Sequence, residues 1–212
     1  MFTGIIQEIG TIRQTRTIND GLAIRIEAPK STGLLKPGDS ININGACQTV
    51  TEIGNRWFGV FAMAETISRT NFPYFQADSR VNLELPLTLN DPLGGHLVSG
   101  HIDCTGIISG ITPGPQSTRL TIDYETDLGR YLIEKGSVAV DGVSLTVFAI
   151  TESSFAVSLI PETLGRTNFK YRDVGDPVNL EFDQIGKYVE KFFGSSKENL
   201  TMDFLYKHGF VR

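Results

Sequence analysis

The 212 residues include only two cysteines, three histidines and one tryptophan. Nowhere is there a run of about 18 apolar residues, which excludes a membrane-spanning helix. Cys47 and Cys104 are too few for a disulfide scaffold, and a chain of this length has no need of one, so both are read as thiols. The stretch Met1-Phe2-Thr3-Gly4-Ile5-Ile6 is strand-like, with no basic leader before it, and the protein is expected in the cytoplasm. Cationic excess is also lacking. Lys and Arg number 19 against 24 Asp and Glu, a net charge of −5, so a phosphate-tracking surface for nucleic acid is not expected. No Gly-x-Gly-x-x-Gly, Walker loop or His-Glu-x-x-His segment occurs. With 40% hydrophobic and 20% charged residues, the chain can bury one large core or two small ones.

What is present is a repeat. The segment Glu65-Thr66-Ile67-Ser68-Arg69-Thr70-Asn71-Phe72 recurs 97 positions later as Glu162-Thr163-Leu164-Gly165-Arg166-Thr167-Asn168-Phe169. The same offset maps Asn44-Gly45-Ala46-Cys47-Gln48-Thr49-Val50 onto Asp141-Gly142-Val143-Ser144-Leu145-Thr146-Val147, and Val81-Asn82-Leu83-Glu84 onto Val178-Asn179-Leu180-Glu181. Near the front the offset is 96, and Gly4-Ile5-Ile6 matches Gly100-His101-Ile102. One insertion or deletion separates two otherwise collinear copies.

Each copy reads as short alternating strands punctuated by glycine and by Asn-Gly or Asp-Gly turns. Strands that short and numerous are expected to close on themselves, since an open sheet leaves hazardous edges. The predicted fold is therefore all-β: two similar six-stranded antiparallel barrels, over residues 1–96 and 97–184, with a helical tail at 185–212. Short helical turns are expected around Thr126 to Glu134 and at each Glu-Thr repeat. In the tail, Ile185, Tyr188, Val189, Phe192 and Phe193 follow helical spacing, and a second helix is expected between Ser196 and Gly209. The apolar stripe packs either on its own chain or on a partner.

Three residues invite a metal reading: His96, His101 and Cys104. On an extended strand their odd spacings point neighbours to opposite faces, which argues against a metal site. Comparison of the copies is more informative. Arg69/Arg166, Thr70/Thr167 and Asn71/Asn168 are shared, as a capped turn or as a common ligand grip. Ile5 is matched by His101, Cys47 by Ser144, Gln48 by Leu145 and Met63 by Ile160, so proton-active groups are unevenly distributed over similar lobes. Cys47 reads either as a small core residue or as a site thiol. His101 reads either as a hydrogen-bonded structural residue or as a proton carrier. Two similar half-sites on one chain point to two similar ligands.

The motifs Met1-Phe2-Thr3-Gly4-Ile5, Asn44-Gly45-x-Cys47-x-Thr49-Val50-Thr51, Gly94-Gly95-His96-x-Val98-Ser99-Gly100-His101, Asp141-Gly142-x-Ser144-Leu145-Thr146-Val147 and Pro161-Glu162-Thr163 together resemble the riboflavin synthase family of the alpha-chain type. The resemblance spans about residues 1 to 190. It implies dismutation of two molecules of 6,7-dimethyl-8-ribityllumazine, a four-carbon unit passing from one to the other to give riboflavin and 5-amino-6-ribitylaminouracil, with no metal or redox cofactor. It also implies a homotrimer whose active site lies between subunits, and an association with lumazine synthase. Carried over by motif, the N-lobe contacts are Gly4, Ile5, Ile6, Cys47, Gln48, Thr49, Phe61, Ala62, Met63, Ala64, Glu65 and Thr66. The C-lobe contacts are Gly100, His101, Ile102, Lys135, Ser144, Leu145, Thr146, Ser158, Leu159, Ile160, Pro161, Glu162 and Thr163. His101 is the expected proton carrier, since an imidazole can both take and return a proton near neutrality. Cys47 and Ser144 are the expected groups that add to the ring carbon or position water there. Gln48 stands where the family usually has an apolar residue, and Ala64 replaces the proline of the second copy. The resembling alternative is a lumazine protein of the same fold, which binds a lumazine or flavin as an optical accessory without turning it over.

Overall fold

Alternating apolar and polar residues produce twelve strands among residues 1–194, the part that the computed structural model describes. The first copy contributes β1 (Glu8–Ile18), β2 (Gly21–Glu27), β3 (Ser40–Ile43), β4 (Ala46–Gly54), β5 (Trp57–Ala62) and β6 (Arg80–Glu84). The second contributes β7 (Cys104–Pro113), β8 (Thr118–Asp123), β9 (Ser137–Val140), β10 (Val143–Phe148), β11 (Ser154–Leu159) and β12 (Pro177–Phe182). Each set closes into an antiparallel barrel, in the order β1-β2-β5-β4-β3-β6 and, equivalently, β7-β8-β11-β10-β9-β12. Closure removes the unpaired edges that a small open sheet would expose. The fold class read from the repeat is the observed one.

The inward face of each strand supplies the cores. Ile12, Ile24, Ile26, Ile41, Phe58 and Leu83 fill the first barrel, and Ile108, Ile122, Val138, Phe155, Leu180 and Phe182 fill the second. The Asn44-Gly45 and Asp141-Gly142 turns join β3 to β4 and β9 to β10, with φ of 46° and 89° in the first and 44° and 78° in the second, as a two-residue hairpin turn of that hand requires. The two turns face each other: a Cβ on Gly45 would lie 2.9 Å from the Gly142 nitrogen, so no side chain fits between them.

Short helices occupy the expected connections, α2 (Ala64–Arg69) and α3 (Pro161–Arg166) at the Glu-Thr repeats and a 3-10 turn at Thr126–Tyr131, and one more that the sequence reading did not expect, α1 (Pro29–Thr32), follows β2. The C-terminal helix α4 (Gln184–Gly194) matches the predicted stripe. The second tail helix expected between Ser196 and Gly209 lies outside the described residues. Asp183 caps α4 by accepting from the Ile185 nitrogen at 3.0 Å, and Lys187 and Glu190 tie its polar side to Asp103 and Arg130. Its apolar side faces outward, with Ile185, Tyr188, Val189 and Phe192 all more than half exposed.

The shared Asn71 and Asn168 do more than cap a turn. Each reaches across the pseudo-two-fold axis to the other barrel: the Asn71 nitrogen donates to Asn179 Oδ1 and the Asn168 nitrogen to Asn82 Oδ1, both at 2.6 Å. Asn44 and Asp141 complete a buried polar network between the lobes. The Thr70 and Thr167 hydroxyls donate to the Thr66 and Thr163 carbonyls, closing α2 and α3, and the Arg69–Glu65 and Arg166–Glu162 pairs stay on the surface.

Candidate functional site

The first residues of each copy do not stay on their own barrel. Ile6 enters the core of the second barrel, and Ile102 packs against the core of the first. The lobe grouping expected from the motifs is therefore corrected: Gly4, Ile5 and Ile6 sit with Ser144, and Gly100, His101 and Ile102 sit with Cys47. Within one copy the register of the repeat is the same whether a leading segment covers its own barrel or the other, and only the packing of the isoleucines distinguishes them.

Two equivalent half-sites result. In the first, the Cys47 nitrogen on β4 donates to the Gly100 carbonyl at 2.8 Å; in the second, the Ser144 nitrogen on β10 donates to the Gly4 carbonyl at 2.9 Å. Both glycines have positive φ, +86° and +77°, and an added Cβ would come within 2.5 Å of Cys47 Cβ or Ser144 Cβ. Glycine is required there by backbone conformation and by close approach alike. A buried carboxylate holds each leading segment. Glu84 accepts from the Thr3 nitrogen and hydroxyl at 2.6 Å and from the Gly4 nitrogen at 3.1 Å; Glu181 accepts from the Ser99 nitrogen and hydroxyl and from the Gly100 nitrogen at 2.6–2.9 Å. Burial pushes both carboxyls above the ordinary range, against the pull of those hydrogen bonds.

In the first half-site Cys47, Gln48, Glu65, Thr66, Gly100, His101 and Ile102 line a cavity of about 290 Å³ together with Ala46, Arg69 and Thr70. Cys47 lines this cavity and also packs on the cluster of Phe2, Val98 and Ala139. The His101 ring is exposed. Gln48 is 7% exposed and donates to the Cys47 carbonyl, and its partner Leu145 lies in the second core, so neither side chain is free at the surface. Ala62 and Leu159 are buried as well, whereas Thr49, Phe61, Met63, Ala64, Thr146, Ser158, Ile160, Pro161 and Glu162 are exposed and Thr163 is half-buried. Among them Ile5, Phe61, Met63 and Ile160 expose substantial apolar surface.

The stretch from His96 to Asp103 is not an extended strand, apart from an isolated bridge between Val98 and Phe2. The argument from strand alternation about His96, His101 and Cys104 does not apply to it. His96 goes to the second half-site, where its Nδ1 lies 2.7 Å from Ser144 Oγ, and sequence reasoning missed that contact. The signal was the Gly94-Gly95 pair, since a Cβ on Gly95 would lie within 2.9 Å of Ser144 Oγ. Burial pushes the His96 imidazole down, opposed by Asp183.

Cys104 starts β7 and its thiol is pushed up to about 12 by burial, and further by Asp103 and Glu125. Folding holds that thiol protonated, so its contribution to stability is fully present below about pH 9 and declines as pH rises toward 12. Alkylation of the folded protein at pH 8 should leave Cys104 unmodified while the unfolded chain reacts, as peptide mass spectrometry would read. Rapid labelling of native Cys104 would contradict the assignment.

Lys135 adopts φ of +65° at the position where the first copy has Gly38, at +93°. A lysine in the left-handed region is strained, and such strain commonly persists where a side chain has work to do. Lys135→Gly should keep or raise the unfolding midpoint by up to about 1 kcal/mol of stability while weakening ligand binding, as a fluorescence titration would show. Unchanged affinity would remove Lys135 from the site.

Comparison with known proteins agrees with this architecture. The lumazine binding domain family matches twice, over residues 3–86 and 99–183. Riboflavin synthase of Actinobacillus pleuropneumoniae is 44% identical over 215 aligned positions, 99% of this chain and all of that one. Riboflavin synthase of Bacillus subtilis (strain 168) is 40% identical over the same span. Among solved structures, LumP complexed with riboflavin superimposes with a TM-score of 0.81 over 86% of this chain and 99% of the other, at 23% identity, a likeness of fold alone. The paired domains and the near-full-length relatives place this chain in the riboflavin synthase family.

Proposed function

We infer that the protein converts two molecules of 6,7-dimethyl-8-ribityllumazine into riboflavin and 5-amino-6-ribitylaminouracil by transfer of a four-carbon unit. The observation that carries this reading is one half-site built twice on one chain, as a reaction between two copies of one substrate requires. Each half-site sets a polar side chain, Cys47 or Ser144, beside exposed apolar surface on which a flat heterocycle can stack. The substrate's own conjugated ring delocalises the carbanion left when a methyl proton is removed, and orientation of the two rings contributes up to roughly 7–11 kcal/mol in favourable cases.

His101 removes and returns the methyl proton. Cys47 and Ser144 add to, or position water at, the electrophilic ring carbon of the ligand beside them. The remaining contacts named from the motifs bind the two rings, regrouped so that residues 4–6 serve the second half-site and 100–102 the first. Three chains assemble through α4, pairing the first half-site of one with the second of its neighbour. The protein works in the cytoplasm, alone or beside lumazine synthase, and needs neither metal nor redox cofactor. A purely optical role is the weaker reading, because the relatives that match at 40–44% identity are synthases while LumP shares only the fold.

Incubation of the purified protein with the lumazine and no additive should produce flavin absorbance. His101→Gln should slow kcat by about 10²-fold with lumazine affinity nearly intact. Bound lumazine without turnover in the parent protein would favour the optical role.

A further inference from the structure

The two half-sites share their backbone but not their polar groups. Cys47 presents a thiol whose sulfur has no side-chain hydrogen-bond partner among the described residues. Ser144 presents a hydroxyl that lies 2.7 Å from His96 Nδ1. His96 is itself held in place. Its nitrogen donates to the Thr3 carbonyl at 3.2 Å, and two residues on, Val98 pairs with Phe2 through hydrogen bonds of 2.8 and 3.1 Å. Thr3 is anchored in turn by Glu84. The segment that brings Gly4 to Ser144 thus also carries His96 there.

Resting on the functional reading above, we propose that His96 is a positioning residue: it accepts the Ser144 hydroxyl proton in a hydrogen bond and turns the Ser144 lone pairs toward the lumazine of the second half-site. Burial pushes the imidazole down and so favours its neutral form, although Asp183 pulls the other way, and in the tautomer protonated at Nε2 the Nδ1 accepts. Two chemically identical ligands therefore meet different surroundings, a locked hydroxyl acceptor in one half-site and an unlocked thiol in the other. That difference assigns them unequal roles in the same reaction.

The test compares three replacements. Asparagine places its Oδ1 near the position of Nδ1, whereas the glutamine amide extends toward Nε2. His96→Ala and His96→Gln should each lower kcat by about 10–100-fold with little change in lumazine affinity, and His96→Asn should recover most of the loss. His96→Ala combined with Ser144→Ala should be no slower than Ser144→Ala alone, while its combination with Cys47→Ala should be additive. Unfolding midpoints accompany every variant; if the alanine form does not fold, the asparagine and glutamine forms decide. Equal activity of those two, or additive losses with Ser144→Ala, overturns the role of His96 while leaving the synthase reading intact. Absence of flavin formation by the parent protein overturns both.

Discussion

Removal of everything after Gln184 will leave two folded barrels that bind lumazine and turn it over only at high protein concentration. Both barrels close without α4, whose polar side is tied to them through Lys187–Asp103 and Arg130–Glu190. The opposite side exposes Ile185 at 67%, Tyr188 at 60%, Val189 at 51% and Phe192 at 72%. Burying one such side chain fully is worth about 1.5–3 kcal/mol, and a stripe of them is costly to leave in water. If that stripe holds neighbouring chains together, the half-sites of different chains lose their enforced proximity when it is removed. Tethered partners meet at roughly millimolar effective concentration, so at micromolar protein the truncated form should lose about 10²–10³-fold in turnover. Its specific activity should then rise with concentration. Sedimentation and a dilution series read both quantities. A truncated protein of unchanged mass with concentration-independent activity would show that another surface assembles the chains.

Asp141→Asn should destabilise the protein by about 3–5 kcal/mol, as the loss of a buried charged partner does. Asp141 is fully buried and accepts from the Asn179 nitrogen, from the amides of Asn71 and Asn168, and from Arg172 at 2.7 Å. In the first copy the matching residues are Asn44 and Phe75, with no guanidinium. An amide at 141 would turn a donor toward the Asn168 amide and Arg172 and leave that cation only the longer contact with Asp176, at 3.8 Å. Combining Asp141→Asn with Arg172→Phe repeats the chemistry of the first copy and should restore most of the loss, as chemical denaturation would show. A single variant that costs under about 1 kcal/mol, or a double variant no better than the single, would mean that the charge pair is incidental to the joining of the lobes.

Much of the architecture was legible in the residues because its causes are local. Alternation along each strand, the Asn-Gly and Asp-Gly turns and the helical spacing of Ile185 to Phe192 depend only on near neighbours in the chain. The equality of the two barrels followed from the collinear copies, whose offset changes only once, from 96 to 97. Cys47, Ser144 and Gly100 were legible as special because the copies could be compared position by position.

The chain alone thus determined two six-stranded barrels, the stripe on α4 and the identity of the polar groups. Only the tertiary structure decided which barrel each leading segment covers, and so which residues share a half-site. A repeat places Gly4 and Gly100 at equivalent positions, and that equivalence is satisfied equally by either arrangement. The choice lies in non-local burial: Ile6 reaches the second core, Ile102 the first, and Asn71 and Asn168 find their acceptors across the axis. The pairing of His96 with Ser144 is decided in the same way, by Gly95, whose lack of a side chain lets the connecting segment come close to Ser144 on β10, across 48 residues of sequence.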